Sequence, residues 1–479
     1  MTAELWTWNE LIAAMPGCVA DGRPAAAITG FSIDTRSLSP GDVFVALQDQ
    51  RDGHEFVTSA AKAGAAAAIV ARGYQRIAGD GALLRVDDPL RALEHLGVAA
   101  RARLPSKARV IAVTGSAGKT GTKDMLRACL GRLGKVHASE KSYNNHWGVP
   151  LTLVRMPADT QYAVFEIGMN HPGEIRPLVK LVRPHAAIIT TVEAVHLAHF
   201  NSVEEIADAK AEIFSGLEPG GSAIIKRASP YFDRLAAHAH VDRAKVISFG
   251  LASNADVYAD KIEQSAEASE ITARIGDKII SYRLAIPGSH VAENSLAVAA
   301  ALQVIGADVE TALGALAGLP PPDGRGARVL LATRTVGDPT GHALLIDESY
   351  NANPASMRAA LATLANLPRD RFQRRIVVLG DMLELGVQAG ELHRGLKPAI
   401  DAAGADLVFA CGPNMKGLYD SLRPAIKGSY GETAAELEPA LLAEIRARDV
   451  VMVKGSNGLK LGALVGALRR RYGEANNPL

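Results

Sequence analysis

The sequence predicts an α/β protein of three domains: a small mixed β/α domain over residues 1–88, a central parallel sheet with helices over 89–321, and a C-terminal Rossmann-like α/β domain over 322–479. Three observations carry this. A chain of 479 residues holds about three domains at roughly 100–200 residues each. Short β-rich runs alternate with helical stretches along most of it, which favours parallel sheets covered on both faces. The run Leu319-Pro320-Pro321-Pro322-Asp323-Gly324 breaks that alternation with a stiff stretch and a turn, as a linker does.

Composition narrows the function classes. Hydrophobic residues make up 48% and charged residues 22%, an ordinary globular balance. Lys plus Arg (52) nearly cancels Asp plus Glu (51), which argues against a polybasic nucleic-acid or anionic-membrane binder. Cys18, Cys129 and Cys411 are far apart and show no metal-ligand or disulfide spacing, so a reducing, cytoplasmic setting is expected. The N-terminus carries Glu4 and Glu10 without Lys or Arg up to Ala20, unlike a secretory signal. No apolar stretch of about 18 residues is present to span a bilayer.

In the first segment, strands are expected at Gly30–Asp34 and Asp42–Leu47 around a Ser39-Pro40-Gly41 turn, followed by a helix at Glu55–Ala63 and strands at Ala67–Ala71 and Ala82–Val86. The second opens with a helix from Pro89 to Leu104. Its strands fall at Arg109–Val113, Tyr162–Ile167, Ala186–Val192, Ser222–Lys226 and Lys245–Phe249, and a β-hairpin joins Ile271–Ile275 to Ile279–Ile286 through Gly276-Asp277. In the third, strands at Ala343–Ile346, Arg375–Leu379, Asp406–Ala410 and Val450–Val453 each end in small or polar residues. Ligands of open α/β sheets bind beyond such strand ends.

The sharpest local signal is Thr114-Gly115-Ser116-Ala117-Gly118-Lys119-Thr120, set between a strand and a helix whose apolar residues include Met125, Leu126, Cys129 and Leu130. Glycines let backbone N–H groups approach phosphate oxygens, and the helix N-terminus adds partial positive charge. Lys119 would reach the β- and γ-phosphates and Thr120 would ligate Mg²⁺. Val113 stands where the longer P-loop pattern has glycine, so this is a shorter variant. Glu166, at a strand end, is a carboxylate placed to hold or position Mg²⁺, the alternative being a solvated strand-end charge. His196, just past another strand, reads alone as a structural histidine. Lys210 is less ordinary. It falls within the apolar stripe Ile206, Ala209, Ile213, Leu217 of a helix opened by a Ser202/Glu205 capping box. Either it snorkels to the surface or it has a specific charged role.

Together these residues resemble the ATP-dependent Mur ligases. The resemblance rests on Thr-Gly-x-x-Gly-Lys-Thr, Asn144-Asn145-His146-Trp147-Gly148-Val149-Pro150, Glu166 to Asn170, His196, Lys210 to Phe214, and Pro287-Gly-Ser-His290 with Asn294. The C-terminal Asp347-Glu348-Ser349-Tyr350-Asn351-Ala352-Asn353-Pro354, Gly380-Asp381-Met-Leu-Glu384-Leu-Gly386 and Lys454-Gly455-Ser456 are similar to the branch that adds D-alanyl-D-alanine. The N-terminal Asp34-Thr35-Arg36-Ser37 and Pro40 to Leu47 resemble that family's UDP-binding domain, which folylpolyglutamate synthases lack.

The resemblance implies an ATP-dependent enzyme that joins D-alanyl-D-alanine to a UDP-N-acetylmuramoyl-tripeptide through an acyl phosphate, with a P-loop ATPase-like central domain. It implies that Thr114, Gly115, Ser116, Ala117, Gly118, Lys119 and Thr120 hold ATP and one Mg²⁺, with Glu166 and His196 in the environment of two Mg²⁺ ions in all. Lys210 matches the lysine that many members carry carbamylated. Asn294, Arg325 and Glu348 fall on the nucleotide side, Glu348 standing where aspartate is usual. Asn144, Asn145, Asn170, Tyr350, Asn353 and Lys454 fall on the muropeptide side, and Asp34, Arg36 and Ser37 on the uridine side, although Asp34 and Arg36 could simply stabilise a turn. The alternatives are another amide ligase of the superfamily, with a different muropeptide or folylpolyglutamate-like, and a non-enzymatic P-loop nucleotide-binding module.

Overall fold

Three sheets organise the chain, seen in a computed structural model that describes residues 4–24, 26–140, 142–194, 199–265, 268–320, 324–333 and 341–475. The first has the order β1-β5-β4-β3-β2, with β1 Val19–Asp21, β2 Gly30–Ser32, β3 Asp42–Val45, β4 Ala67–Ala71 and β5 Leu83–Val86. It is parallel except for β1, which runs antiparallel to β5. A short helix, Trp8–Ala14, precedes it and was not expected from the sequence. Its capping box pairs Thr7 with Glu10, but it buries only Leu11, too little for an apolar period to register.

The helix Pro89–Ala102 starts where expected because the Asp88 carboxylate accepts the Leu90 and Arg91 N–H groups and Pro89 needs no donor partner. It packs Leu93, Leu96 and Ala100 into the first domain's core beside Leu151 and Val154 of the helix Gly148–Val154. The first two domains therefore share one apolar core. Trp6 reinforces it, donating its indole N–H to the Val154 carbonyl at 2.9 Å under the Arg103 guanidinium.

The central sheet has nine strands in the order β14-β13-β12-β11-β10-β9-β6-β8-β7. These are β6 Arg109–Thr114, β7 Val136–Ala138, β8 Tyr162–Glu166, β9 Ala186–Ile189, β10 Ser222–Lys226, β11 Lys245–Gly250, β12 Val257–Gln264, β13 Ser269–Ile275 and β14 Lys278–Leu284. All pairs from β7 to β12 are parallel, and the expected hairpin β13–β14 extends through β12 into an antiparallel flap. Apolar layers cover both faces, one against the helices Lys119–Gly131 and Ser289–Val304, the other against Ile175–Val182 and Val203–Ala211. Strand β9 stops at Ile189 rather than Val192 because Thr190 and Thr191 leave the ladder to bond the glycine-rich turn.

The third sheet has the order β15-β16-β20-β17-β18-β19: β15 Ala327–Ala332, β16 His342–Glu348, β17 Arg374–Gly380, β18 Leu407–Cys411, β19 Lys427–Gly431 and β20 Asp449–Lys454. Only β15 is antiparallel. The edge strands β15 and β19 were not expected, and β19, Lys-Gly-Ser-Tyr-Gly, has no apolar run to reveal it. Pro321, Pro322 and Asp323 of the expected linker lie outside the described residues. Among the described residues the three cysteines are unpaired, and no helix is long and apolar enough to cross a membrane.

Candidate functional site

Strand β6 delivers the chain into a turn that two glycines shape. Gly115 (φ 147°) and Gly118 (φ 84°) both take positive φ, and a side-chain carbon on Gly118 would lie 2.5 Å from the Asn294 amide nitrogen. The turn is braced from the end of β9: Ser116 N–H donates to the Thr191 carbonyl, Ala117 N–H to Thr191 Oγ1, and Thr190 Oγ1 to the Ala117 carbonyl. The helix that follows begins at Lys119, so its first N–H groups face the cavity.

Beyond the turn, Lys119 Nζ folds back to the Gly115 carbonyl at 2.7 Å. Thr120 Oγ1 donates to Glu166 Oε2 at 2.9 Å, and Asn144 Nδ2 donates to Glu166 Oε1 at 2.7 Å. Glu166 is 1% exposed, so both oxygens of a buried carboxylate are fixed by neighbours at the cavity wall. Hydroxyl and carboxylate oxygens side by side are the donors that a hard divalent cation takes. Burial holds the Lys119 ammonium below its usual range, Glu166 opposes that shift, and Arg325 adds to it.

Lys210 does not snorkel. It is 2% exposed on the helix Val203–Ala211, and no carboxylate or other acceptor among the described residues pairs with it. Burial, then the nearby Lys119 charge, pushes its amine well below the usual lysine range. The helix start departs from expectation: Ser202 Oγ accepts the Glu205 N–H, but the Glu205 carboxylate turns back to Asn201. Only half of a capping box forms. His196 lies outside the described residues.

The C-terminal domain supplies the opposite wall. A cavity of about 310 Å³ is lined by Lys119, Thr120, Asn144, Glu166 and Asn170 on one side and by Arg325, Tyr350, Asn353 and Glu384 on the other. The Arg325 guanidinium stacks 4.5 Å over the Tyr350 ring and reaches Ser142 Oγ at 3.5 Å. A second cavity of about 260 Å³ shares Ala117, Gly118, Arg325 and Asn353 with the first, and continues to Met125, His290, Asn294, Glu348 and Lys454. There Lys454 Nζ donates to the Asn351 carbonyl at 2.9 Å and pairs with Glu348 at 3.3 Å. The glycine-rich turn thus sits where a polar cavity and a partly apolar one meet.

A third cavity, about 520 Å³, opens in the N-terminal domain beside Asp34, Arg36, Phe44, Arg51, Phe56 and Trp147. Asp34 accepts the Arg36 backbone N–H at 2.9 Å and its guanidinium at 2.6 Å, so these two residues form a turn and also rim the cavity. Ser37 braces that turn by donating to the Asp34 carbonyl, and does not line the cavity.

The structure therefore brings together Lys119, Thr120, Glu166, Asn144, Asn170, Arg325, Tyr350 and Asn353, with Asn294, Glu348 and Lys454 in the adjoining cavity. Asn145 lines neither, because its Oδ1 accepts the Trp147 and Gly148 N–H groups at the start of a helix. Thr114 is buried at the end of β6. Sequence reasoning missed Trp147, which borders the N-terminal cavity from the central domain, and the Lys226–Glu293 pair (2.6 Å) in the second cavity. Lys226 ends a parallel strand, a position that could have drawn attention.

Comparison with known proteins agrees with this geometry. Residues 113–302 match the Mur ligase middle domain and residues 334–457 the Mur ligase glutamate ligase domain. The chain is 36% identical to the UDP-N-acetylmuramoyl-tripeptide–D-alanyl-D-alanine ligase of Escherichia coli (strain K12), over 91% of this chain and 92% of that protein. It is 33% identical to the corresponding ligase of Rickettsia prowazekii (strain Madrid E), over 90% and 93%. A crystal structure of MurF from Acinetobacter baumannii superposes with a TM-score of 0.84 at 29% identity, covering 98% of this chain and all of that one.

Proposed function

The chain belongs to the Mur ligases, among the UDP-N-acetylmuramoyl-tripeptide–D-alanyl-D-alanine ligases, and on that premise we propose that it forms the amide joining these two substrates, driven by ATP. The product is the UDP-muramoyl-pentapeptide used for peptidoglycan, made in the cytoplasm. The observation that carries the reading is the single polar cavity walled by the phosphate-binding turn, Glu166 and Asn144 on one side and by Arg325 and Tyr350 on the other.

A carboxylate resists attack because of its charge and because oxide is a poor leaving group. One carboxylate oxygen of the tripeptide attacks the γ-phosphorus of ATP, the bond to the β-phosphate oxygen breaks, and ADP leaves with that electron pair. The amine of the dipeptide then attacks the acyl carbon, and phosphate departs from the tetrahedral intermediate. Lys119, released from the Gly115 carbonyl, moves to the transferring phosphoryl group and offsets its charge. The N–H groups of residues 116–120 hold the phosphate chain across Gly118, with adenosine in the second cavity beside Asn294 and Glu348 and the tripeptide carboxylate in the first. Thr120 and Glu166 would hold Mg²⁺, which when bound neutralises phosphate charge and keeps the reacting oxygens in line. Asn144 fixes the Glu166 carboxylate, and Arg325 closes the cavity against water that would hydrolyse the acyl phosphate. The N-terminal cavity takes the uridine end, with Asp34 and Arg36 at its rim.

Lys210 fits carbamylation. Burial and the Lys119 charge lower its pKa and so favour the neutral amine, the form that adds to CO₂, giving a carbamate and releasing one proton. The resulting carboxylate on a long stem would stand beside Lys119 as an oxygen donor for a second Mg²⁺, with His196 in that environment as the family resemblance implies. Labelled bicarbonate should give a carbamate signal by NMR in the wild type that Lys210→Ala lacks.

The deciding experiment incubates purified protein with ATP, Mg²⁺, a panel of UDP-muramoyl peptides and D-alanyl-D-alanine, read by mass spectrometry. Ligated pentapeptide with equimolar ADP and phosphate is the expected result. Full-rate ATP hydrolysis without either acceptor would contradict the ligase reading.

A further inference from the structure

Trp147 belongs to the central domain yet lines the cavity of the N-terminal domain, beside Phe44, Phe56 and Arg51. Its backbone is held firmly. Asn145 Oδ1 accepts the Trp147 and Gly148 N–H groups at 3.2 and 2.9 Å. The helix that starts at Gly148 sends Leu151 and Val154 into the core shared by the two domains. The turn before that helix is tight, since a side-chain carbon on Gly148 would lie 2.5 Å from the Tyr143 backbone. The His146 ring meets the indole edge-on, with centroids 5.1 Å apart, which limits how the indole can turn.

The side chain itself is not used up by the fold. Trp147 is half-buried, and its indole N–H makes no hydrogen bond among the described residues, whereas that of the buried Trp6 donates to the Val154 carbonyl. Nor does the Trp147 side chain cap the helix it precedes. A half-buried indole with an unused N–H offers an apolar ring and one donor. That is the complement of a sugar ring, which has an apolar C–H face and a rim of hydroxyl and amide oxygens.

Length decides which part of the substrate meets it. Asn144 lines the reaction cavity, where the proposed reaction puts the tripeptide carboxylate, and Trp147 lines the N-terminal cavity three residues on. Three residues reach at most about 11 Å, and a tripeptide extended from the reacting carboxylate spans about the same. At the far end of that tripeptide stands the muramoyl sugar. The uridine lies farther off, beyond a diphosphate. Arg51 suits that diphosphate, because its guanidinium rests 4.5 Å over the Phe56 ring and makes no ion pair among the described residues. We propose that Trp147 is the platform for the N-acetylmuramoyl sugar, packing its indole against the pyranose ring and donating its N–H to a sugar oxygen. It thus holds the substrate where it passes from one cavity to the other. This rests on the ligase reading above and adds the residue that recognises the sugar.

The test is calorimetry on the full chain with UDP and with UDP-N-acetylmuramic acid, the substrate without its peptide, beside steady-state kinetics. Binding needs no turnover. Absence of ligated product in the wild type would therefore sink the ligase reading, while the two affinities still judge this assignment. Trp147→Ala should weaken binding of UDP-N-acetylmuramic acid about tenfold and leave that of UDP within about twofold of wild type. The KM for UDP-tripeptide should rise by a similar factor, with the KM values for ATP and D-alanyl-D-alanine close to wild type. Trp147→Phe keeps a ring without the N–H and should recover part of the affinity for the sugar. Melting curves establish first that both variants fold. Equal weakening of UDP and UDP-N-acetylmuramic acid would put the indole on the nucleotide and overturn the assignment. An unchanged affinity for UDP-N-acetylmuramic acid, or a rise shared equally by all three KM values, would overturn it too.

Discussion

On the central-domain wall of the reaction cavity, Glu166 is buried and bonded at both oxygens and Lys119 rests on a backbone carbonyl. On the C-terminal wall, Tyr350 is 37% exposed, Leu383 43%, and the Arg325–Ser142 contact across the cleft is long at 3.5 Å. The first wall is built from consecutive strand ends of one sheet and is held by hydrogen bonds inside one domain. The second is assembled from the ends of β16, β17 and β20, whose position depends on how two domains meet. The proposed reaction assigns the chemistry that needs fixed charge to the first wall, and recognition and closure to the second, whose groups are more exposed.

Substitutions on the central wall should therefore cost turnover, and the largest effect is expected at Lys119. Lys119→Ala removes the charge that offsets phosphoryl transfer, so kcat should fall by about 10² or more. Glu166→Gln keeps the shape but loses the negative charge, and should lower activity while weakening its dependence on Mg²⁺. Circular dichroism and melting curves establish first that both variants fold. Near-normal turnover in both would erase the contrast between the walls.

Lys210 sharpens the same contrast from behind the central wall. Lys210→Ala should lose activity and regain part of it with added short-chain carboxylates, which supply oxygens in the vacated space, whereas Lys210→Arg should not respond. Stability carries a second signature. A lysine whose folded pKa is depressed binds fewer protons folded than unfolded between the two pKa values, so its amine destabilises the fold increasingly as pH falls from the unfolded value of about 10.4. In bicarbonate-free buffer Lys210→Met should raise the melting temperature near neutral pH, and this advantage should fade toward pH ~10. A gain independent of pH would mean that packing alone is responsible.

On the C-terminal wall the expected effects lie in binding and closure. Arg325→Ala removes the stack on Tyr350 and the reach to Ser142, and should raise the KM for ATP several-fold with a smaller change in kcat. Fluorophore pairs across residues 319–324 should report a shorter distance when an ATP analogue and UDP-tripeptide are both bound. An unchanged distance distribution would remove closure from the account.

The unequal legibility of the two walls has the same physical origin. The turn on the central wall was readable because it is local: Gly115, Gly118, Lys119 and Thr120 are close in sequence and share one strand–helix junction. The three sheets were readable too, because buried parallel strands such as Ala-Ala-Ile-Val-Ala and Arg-Arg-Ile-Val-Val-Leu-Gly announce themselves as apolar runs. Edge strands β15 and β19 and the helix Trp8–Ala14 bury little and left little pattern. Pairings between distant residues, such as Arg325 with Ser142 or Lys226 with Glu293, have no sequence period at all. Lys210 lay between these cases. Its spacing put it on an apolar stripe, and only the packing of the helix decided that it is buried rather than snorkelling.

Asn144 and Asn145 set the smallest effect beside a large one. They are neighbours in one motif, yet Asn144 donates to Glu166 whereas Asn145 accepts the Trp147 and Gly148 N–H groups at the start of the helix Gly148–Val154. Asn144→Ala frees one oxygen of a buried carboxylate beside Thr120, so its loss should appear in turnover. Asn145→Ala leaves two N–H donors at a helix start without their side-chain acceptor, a loss of about 1 kcal/mol by analogy with other helix caps. Because that helix begins beside Trp147 at the N-terminal cavity, the indirect cost should be a modest rise in the KM for UDP-tripeptide, with kcat and the KM for ATP unchanged. Chemical denaturation of both variants, run beside their kinetics, checks the pair. If Asn145→Ala lowered kcat as much as Asn144→Ala, then Asn145 would belong to the reacting wall and the helix-capping account of it would fail.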